Sequence, residues 1–229
     1  MQLLDAATIY NRMVFLNKMA SINSAKEVLL IEPENGDAKC VNNKQRSKQK
    51  DKDVVAIDCE MVGIGQRSVL ARVSIVDSKG ETIYDKFVKP RGKVTDYRTR
   101  VSGIRPQDIA NGELFSIVKT EVHQIVKQKL LVGHGLEHDL EVLELNHPKH
   151  LLRDTSTYWE VKENTKVRKP SLKLLASKLL GVSIQDGEHS SVEDANVALQ
   201  LYMKVRKDWE SRFKKKSSRT SYSWEEAGI

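Results

Sequence analysis

The chain has 229 residues, 39% hydrophobic and 30% charged, enough for one well-cored domain with tails. No apolar run approaches the roughly 20 residues of a membrane span, and the first thirty residues lack the core and cleavage site of a secretory signal. The formal net charge of +7 and a pI near 9.3 favour a polyanionic partner such as nucleic acid, while two cysteines, Cys40 and Cys59, offer neither metal spacing nor a disulfide framework and fit a reducing compartment.

Residues 1–52 differ from the rest. Ile9, Met13, Leu16 and Met19 fall at helical spacing and predict a short amphipathic helix; a mitochondrial presequence is the competing reading of this acid-poor start. Asn42 to Lys52 (NNKQRSKQKDK) reads as a solvated basic linker or a nuclear-import patch. From Asp53 the pattern turns regular. The runs 53–63, 69–77 and 82–88 are strand-like and closely connected, which predicts an antiparallel meander. A basic loop, Lys89 to Arg105, follows. Phe115, Val118, Val122, Ile125 and Lys129 then mark one face of a helix over 113–128, and Leu130 to Val132 is a short buried strand ending at Gly133-His134-Gly135.

A helix is predicted over 136–145, with Leu136, Leu140 and Leu143 as its stripe. Leu151 to Asp154 reads as a strand and Glu160 to Lys169 as a charged loop. Ser171 caps a helix with the stripe Leu172, Leu175 and Leu179, stopped by Gly181. The last helix opens on the capping box Ser190-Ser191-Val192-Glu193 and covers the sheet with Ala195, Ala198, Leu199, Tyr202, Val205 and Trp209. Residues 211–229 carry a small basic cluster without periodicity, so the expectation there is a disordered tail. The fold class is α/β: a mixed five-stranded sheet, three antiparallel strands followed by two parallel to the first, with helices on both faces.

Three places break the apolar pattern. Asp58 and Glu60 stand two apart at the end of the first strand, so both side chains point to one face. Like charges there are costly unless a cation lies between them, and Mg²⁺ prefers carboxylate oxygens; a strand fraying into a polar loop is the plainer reading. Asp139 sits on the core-facing stripe of its helix, as a capping group, an arginine partner or a metal ligand. His189 and Asp194 flank the start of the last helix, where each also has an ordinary explanation as loop histidine and dipole complement. Taken together, four carboxylates and one histidine meet the needs of two-metal phosphodiester hydrolysis, with the histidine able to accept the proton of the attacking water.

These stretches resemble a known family, the DEDDh 3′–5′ exonucleases of ribonuclease H-like fold. The motifs are DCEMVG at 58–63, VGHGLEHDL at 132–140 and HSSVEDA at 189–195, with supporting similarity at YDKFV (84–88) and TDYRTRVSG (95–103). HPK (147–149), RDT (153–155) and RKPSL (168–172) resemble the RNA exonuclease 4 branch more than its interferon-stimulated 20 kDa relative. The resemblance spans residues 53–210, which it implies to be an exonuclease domain between the N-terminal extension (1–52) and the tail (211–229).

By resemblance, Asp58, Glu60, Asp139 and Asp194 hold two Mg²⁺ or Mn²⁺ ions and His189 is the general base. Met61 and Arg98 contact the sugar of the 3′-terminal nucleotide; core packing for Met61 and phosphate contact for Arg98 compete with that role. The implied substrate is RNA, with single-stranded DNA as a second candidate and no membrane partner. The implied products are nucleoside 5′-monophosphates, and the implied setting is ribosomal RNA processing in the nucleus or nucleolus. An RNA-turnover, antiviral or DNA-directed exonuclease is the alternative, and a catalytically silent nucleic-acid-binding module the remote one. Two features depart from the branch: a shorter loop after Gly63, and an N-terminal extension of about fifty mixed residues rather than a long basic one.

Overall fold

The computed structural model of the chain describes residues 53–158 and 169–222, with side chains as far as Arg212. The helix and linker expected within residues 1–52, and nearly all of the charged loop expected at 160–169, lie outside these residues.

The β-branched run expected to be buried forms β1 (Val54–Ile64), the centre of a sheet. It pairs antiparallel with β2 (Arg67–Asp77), which pairs antiparallel with β3 (Thr82–Lys89). On its other side β1 pairs parallel with β5 (Leu130–Gly133), and β5 with β6 (Leu152–Asp154). A sixth strand, β4 (Glu113–Leu114), lies parallel to β3, so the order is β4-β3-β2-β1-β5-β6 and the expected count of five is one short. Two residues are too few to show alternation, and they had been read as the start of a helix. Gly112 makes this strand accessible: a Cβ there would stand 2.8 Å from the backbone of Val88 and Lys89.

Helices cover both faces. Two short helices, α1 (Thr99–Ser102) and α2 (Pro106–Ala110), interrupt the basic loop. Next comes α3 (Phe115–Val126), which buries Val118, Val122 and Ile125 as predicted and sets Glu121 over β3, where Tyr84 Oη (2.7 Å) and Lys86 Nζ (2.9 Å) donate to it. α4 (Leu136–Val142) is shorter than expected, and its buried face is Leu136, Asp139 and then Leu143. α5 (Leu172–Leu175) starts at Ser171, whose hydroxyl accepts the Leu174 N–H at 3.3 Å, and widens into a π-turn, Ala176–Leu180. The widening rotates Leu179 off the buried stripe, so it is only partly covered.

The last helix, α6 (Ser191–Tyr222), continues past the boundary expected at 210, so residues 211–222 are helical rather than disordered. Every residue of its predicted stripe is buried, packed with Val54 and Ala56 of β1, Val76 of β2 and Val132 of β5. Trp209 stacks on Tyr158 with centroids 4.1 Å apart, and Arg153 of β6 makes a bidentate pair with Glu210 at 2.7 and 2.8 Å. Among the described residues no helix is long and apolar enough to cross a membrane.

Candidate active site

Asp58 and Glu60 continue the face of β1 that Val54 and Ala56 turn toward α6. The β2 residues opposite them, Ser74 and Arg72, build a polar layer there. Arg72 grips Asp85 through two bonds of 2.8 Å, Ser74 Oγ donates to the same carboxylate at 2.8 Å, and Ser191 Oγ lies 2.7 Å from Ser74 Oγ. That buried serine pair fixes the first turn of α6 above β1 and brings Asp194 over the strand. The register shifts between Glu60 and Met61, a bulge that re-aims the strand as it leaves the site.

Asp139 arrives on α4, whose start is set by Gly135 in the left-handed region (φ 80°). Asp154, at the end of β6, accepts from the N–H groups of Gly135 (2.9 Å) and Leu136 (3.0 Å) and so caps this helix from the neighbouring strand. Thr155 Oγ1 donates to the Gly133 carbonyl (3.0 Å) and lies 2.9 Å from His134 Nδ1, and burial lowers the His134 pKa. Asp154 and His134 had no assigned role in the sequence; they stood in motifs without any pattern that marked them.

A cleft of about 250 Å³ brings Asp58, Glu60, Asp194 and His189 together with Met61 and Arg98. Asp139 lies behind it, close enough that its charge raises the pKa of Asp58. Burial raises all four carboxyls. For Asp58 burial comes first, then the charges of Asp139, Asp194 and Glu60. Burial and then Asp194 push Glu60 up to about 7, against a pull from Arg72. Asp139 is pushed up to about 8 by burial, although Cys59 hydrogen bonds to it. Asp194 rises through burial, opposed by Gln185 and His189.

Three oxygens here, Glu60 Oε1, Asp139 Oδ2 and Asp194 Oδ1, are buried without any hydrogen-bond partner. Buried polar atoms are seldom left so, and three of one sign around one cleft fit a cationic occupant with oxygen ligands. Among the described residues no three side chains converge tightly enough to hold an ion as they stand, as mutually repelling carboxylates would not.

His189 and Arg98 come from loops clipped to the sheet. The His189 N–H donates to the Val101 carbonyl (2.7 Å), and Glu188 before it pairs with Arg105 at 2.7 and 3.0 Å. The His189 Nδ1 lies 3.8 Å from Asp194 Oδ2. The basic loop meets β1 at Gly63, whose N–H donates to the Asp96 carbonyl at 2.6 Å. Arg98 follows in the left-handed region (φ 51°), and its guanidinium donates to Ser68 Oγ at 2.9 Å on the cleft rim. Met61, half-buried, lines the wall. The structure therefore brings six of the seven sequence-predicted residues to one cleft, with Asp139 directly behind.

The exonuclease family matches residues 55–202, and that span contains every residue of the cleft. The chain belongs to this exonuclease family. Its members generally depend on a divalent metal, in keeping with the unpartnered oxygens. Within the family the chain is 52% identical over 165 residues to RNA exonuclease 4 of Xenopus laevis, covering 71% of this chain and 39% of the relative. Identity to the human RNA exonuclease 4 is 51% over 160 residues, covering 69% and 38%. The chain thus spans about two fifths of the length of these relatives.

Among solved structures, the Neurospora crassa Pan2 catalytic unit superposes with a TM-score of 0.62 at 28% identity, over 75% of this chain and 30% of that one. The Saccharomyces cerevisiae Pan2 pseudoubiquitin hydrolase–RNA exonuclease module in complex with A7 RNA gives 0.61 at 33%, over 76% and 32%.

Proposed function

We propose that this chain is a 3′–5′ exoribonuclease that hydrolyses the terminal phosphodiester of RNA and releases nucleoside 5′-monophosphates. The observation that carries this is the convergence of Asp58, Glu60 and Asp194 on one cleft, with Asp139 behind it and three buried, unpartnered oxygens among the four, beside a histidine held on an independent loop. Similarity to RNA exonuclease 4 and to RNA-bound Pan2 modules supports RNA as the substrate, and the net charge of +7 supports a polyanion.

The four carboxylates would hold two ions, Mg²⁺ or Mn²⁺. Bound there, the ions supply the positive charge that offsets the scissile phosphate and the leaving oxygen. The Nε2 of His189 takes a proton from the attacking water as its oxygen bonds to phosphorus and the P–O3′ bond breaks; the departing O3′ then takes a proton from solvent. The other ring nitrogen, Nδ1, faces Asp194 Oδ2 from 3.8 Å. Met61 offers an apolar wall to the terminal ribose, and Arg98 at the rim reaches the sugar or phosphate.

The role that goes with this reading is ribosomal RNA processing in the nucleus, supported by the resemblance to the RNA exonuclease 4 branch. The test is a cleavage time course on matched 5′-labelled RNA and DNA single strands with Mg²⁺, Mn²⁺ or EDTA, beside Asp58→Asn. The expected result is a ladder shortening from the 3′ end of RNA, absent in EDTA and in the variant. Comparable ladders on DNA would make it a general exonuclease. Binding without cleavage would leave a silent nucleic-acid-binding module.

A further inference from the structure

Gln185 has no place in the roles given so far, yet its side chain makes the shortest contact to a cleft carboxylate. Its Nε2 donates to Asp194 Oδ2 at 2.6 Å. This is the same oxygen that His189 Nδ1 faces from 3.8 Å, while the other oxygen of Asp194, Oδ1, is buried with no partner at all. We propose that Gln185 is a positioning residue that divides the two oxygens of Asp194: Oδ2 is held for Gln185 and His189, and Oδ1 is kept free for a divalent cation. The inference rests on the exonuclease reading above and assigns the residue that sets up its metal ligand and its base together.

The backbone around Gln185 is built to hold this aim. Gln185 lies in the left-handed region (φ 56°), a conformation that costs a residue with a Cβ and persists where its surroundings enforce it. Here the surroundings are Lys173 of α5. Its Nζ donates to the Gln185 carbonyl (3.0 Å) and to Asp186 Oδ1 (2.8 Å), and Ser183 Oγ donates to the other Asp186 oxygen (2.6 Å). The far end of the same loop is tied through Glu188 to Arg105 and through the His189 N–H to Val101. One loop, anchored at both ends on separate helices, thus delivers two side chains to one carboxylate oxygen.

The chemistry of the amide suits the task. An uncharged donor leaves the negative charge of Asp194 available to a cation, where a lysine or arginine would neutralise it. With Oδ2 occupied, the carboxylate cannot rotate Oδ1 away from the cleft without breaking a short bond. The shared oxygen links the two functions: tilting Asp194 would misplace an ion and move the oxygen that His189 Nδ1 faces. Outer partners of metal-binding carboxylates act in this way, and their loss costs about 10–100-fold in metal affinity or activity.

The test uses the full chain with Gln185→Ala and Gln185→Glu. Calorimetric titration with Mn²⁺ measures ion binding without turnover, and kcat and KM on 5′-labelled RNA measure the reaction. Thermal melts confirm folding. The expected result is Mn²⁺ affinity and kcat each lower by about 10-fold or more in Gln185→Ala, with KM for RNA little changed. Gln185→Glu keeps the size but places a charge against Oδ2, so it should fail to rescue Mn²⁺ binding or kcat.

Wild-type Mn²⁺ affinity in a folded Gln185→Ala would overturn the assignment while leaving the exonuclease reading intact. A rise in KM alone would make Gln185 a substrate contact instead. A wild-type protein that takes up no Mn²⁺ would defeat both readings.

Discussion

Without a metal, the carboxylate cluster should work against folding, and Glu60 sets the scale. Burial and the charge of Asp194 raise its pKa from 4.5 to about 7. A carboxyl with a raised folded pKa costs stability as pH rises, because the unfolded chain releases the proton first. The cost is absent below about pH 4.5, grows through the window and is complete above about 7. At about 1.4 kcal/mol per pKa unit, that gap amounts to about 3 kcal/mol for one side chain.

Glu60→Gln keeps the shape and removes the charge. In EDTA it should be more stable than the wild type by about 3 kcal/mol at pH 8, or roughly 6–12 °C in Tm for a domain of this size, with little difference at pH 4.5. Melts of both proteins at both pH values read this directly, and the change of the difference with pH separates charge from packing. Adding Mg²⁺ at pH 8 should raise the Tm of the wild type more than that of the variant. A Glu60→Gln difference that is equal at the two pH values, or a variant less stable at pH 8, would refute the account.

Four further outcomes are expected. Asp58→Asn and Asp194→Asn should each abolish cleavage and leave RNA binding in EDTA near wild type by gel shift; retained cleavage would sink the metal assignment. Glu210→Ala removes the bidentate carboxylate from the buried Arg153 guanidinium, whose side chain is 4% exposed and keeps its bonds to the His150 and Leu152 carbonyls, at a cost of about 3 kcal/mol in urea melts, most of it recovered in Arg153→Met with Glu210→Leu. Burial opposes the Glu210 charge, but Arg153 and Tyr202 hold its pKa below the usual value, so the pair contributes fully above the ordinary glutamate pKa and is lost as pH falls through the lower one; Glu210→Gln should flatten that acid limb. Arg98→Ala should raise KM on RNA, and more on RNA than DNA if the guanidinium reads the 2′-hydroxyl, whereas equal loss would mark a phosphate contact.

What could be read in the sequence was what obeys a period. The β-branched run gave β1, and period-2 alternation put Asp58 and Glu60 on one face before any partner was known. Asp139 stood out because an apolar helical stripe had a carboxylate in it, and the structure buries it between Leu136 and Leu143. The stripe of α6 was legible through Trp209 for the same reason, but its continuation to Tyr222 carries no apolar repeat in the sequence and so no helical signal. β4 is too short for a period and depends on a long-range approach at Gly112. Gln185 was invisible, since a glutamine in an aperiodic loop acquires meaning only when Asp194 is brought to it.

The location of the cleft follows from where buried negative charge is least costly in this fold. Asp139 lies in the first turn of α4 and Asp194 in the first turn of α6. First turns present N–H groups without intrahelical partners and the positive end of the helix dipole, each worth up to about 1 kcal/mol to an anion. The same fold uses Asp154 to cap α4 from outside and the Ser74–Ser191 pair to set α6 at the right height, so the two helix starts are fixed from β6 and β2, on either side of the central strand. Asp58 and Glu60 have no such help, yet burial pushes Asp139 up as well, to about 8 against about 7 for Glu60. Helix dipoles offset part of the repulsion among four carboxylates but not several kcal/mol of it. The remainder is what cations bound at the unpartnered oxygens would supply, so the strain in the metal-free protein and the affinity for metal should rise and fall together across substitutions at these four positions.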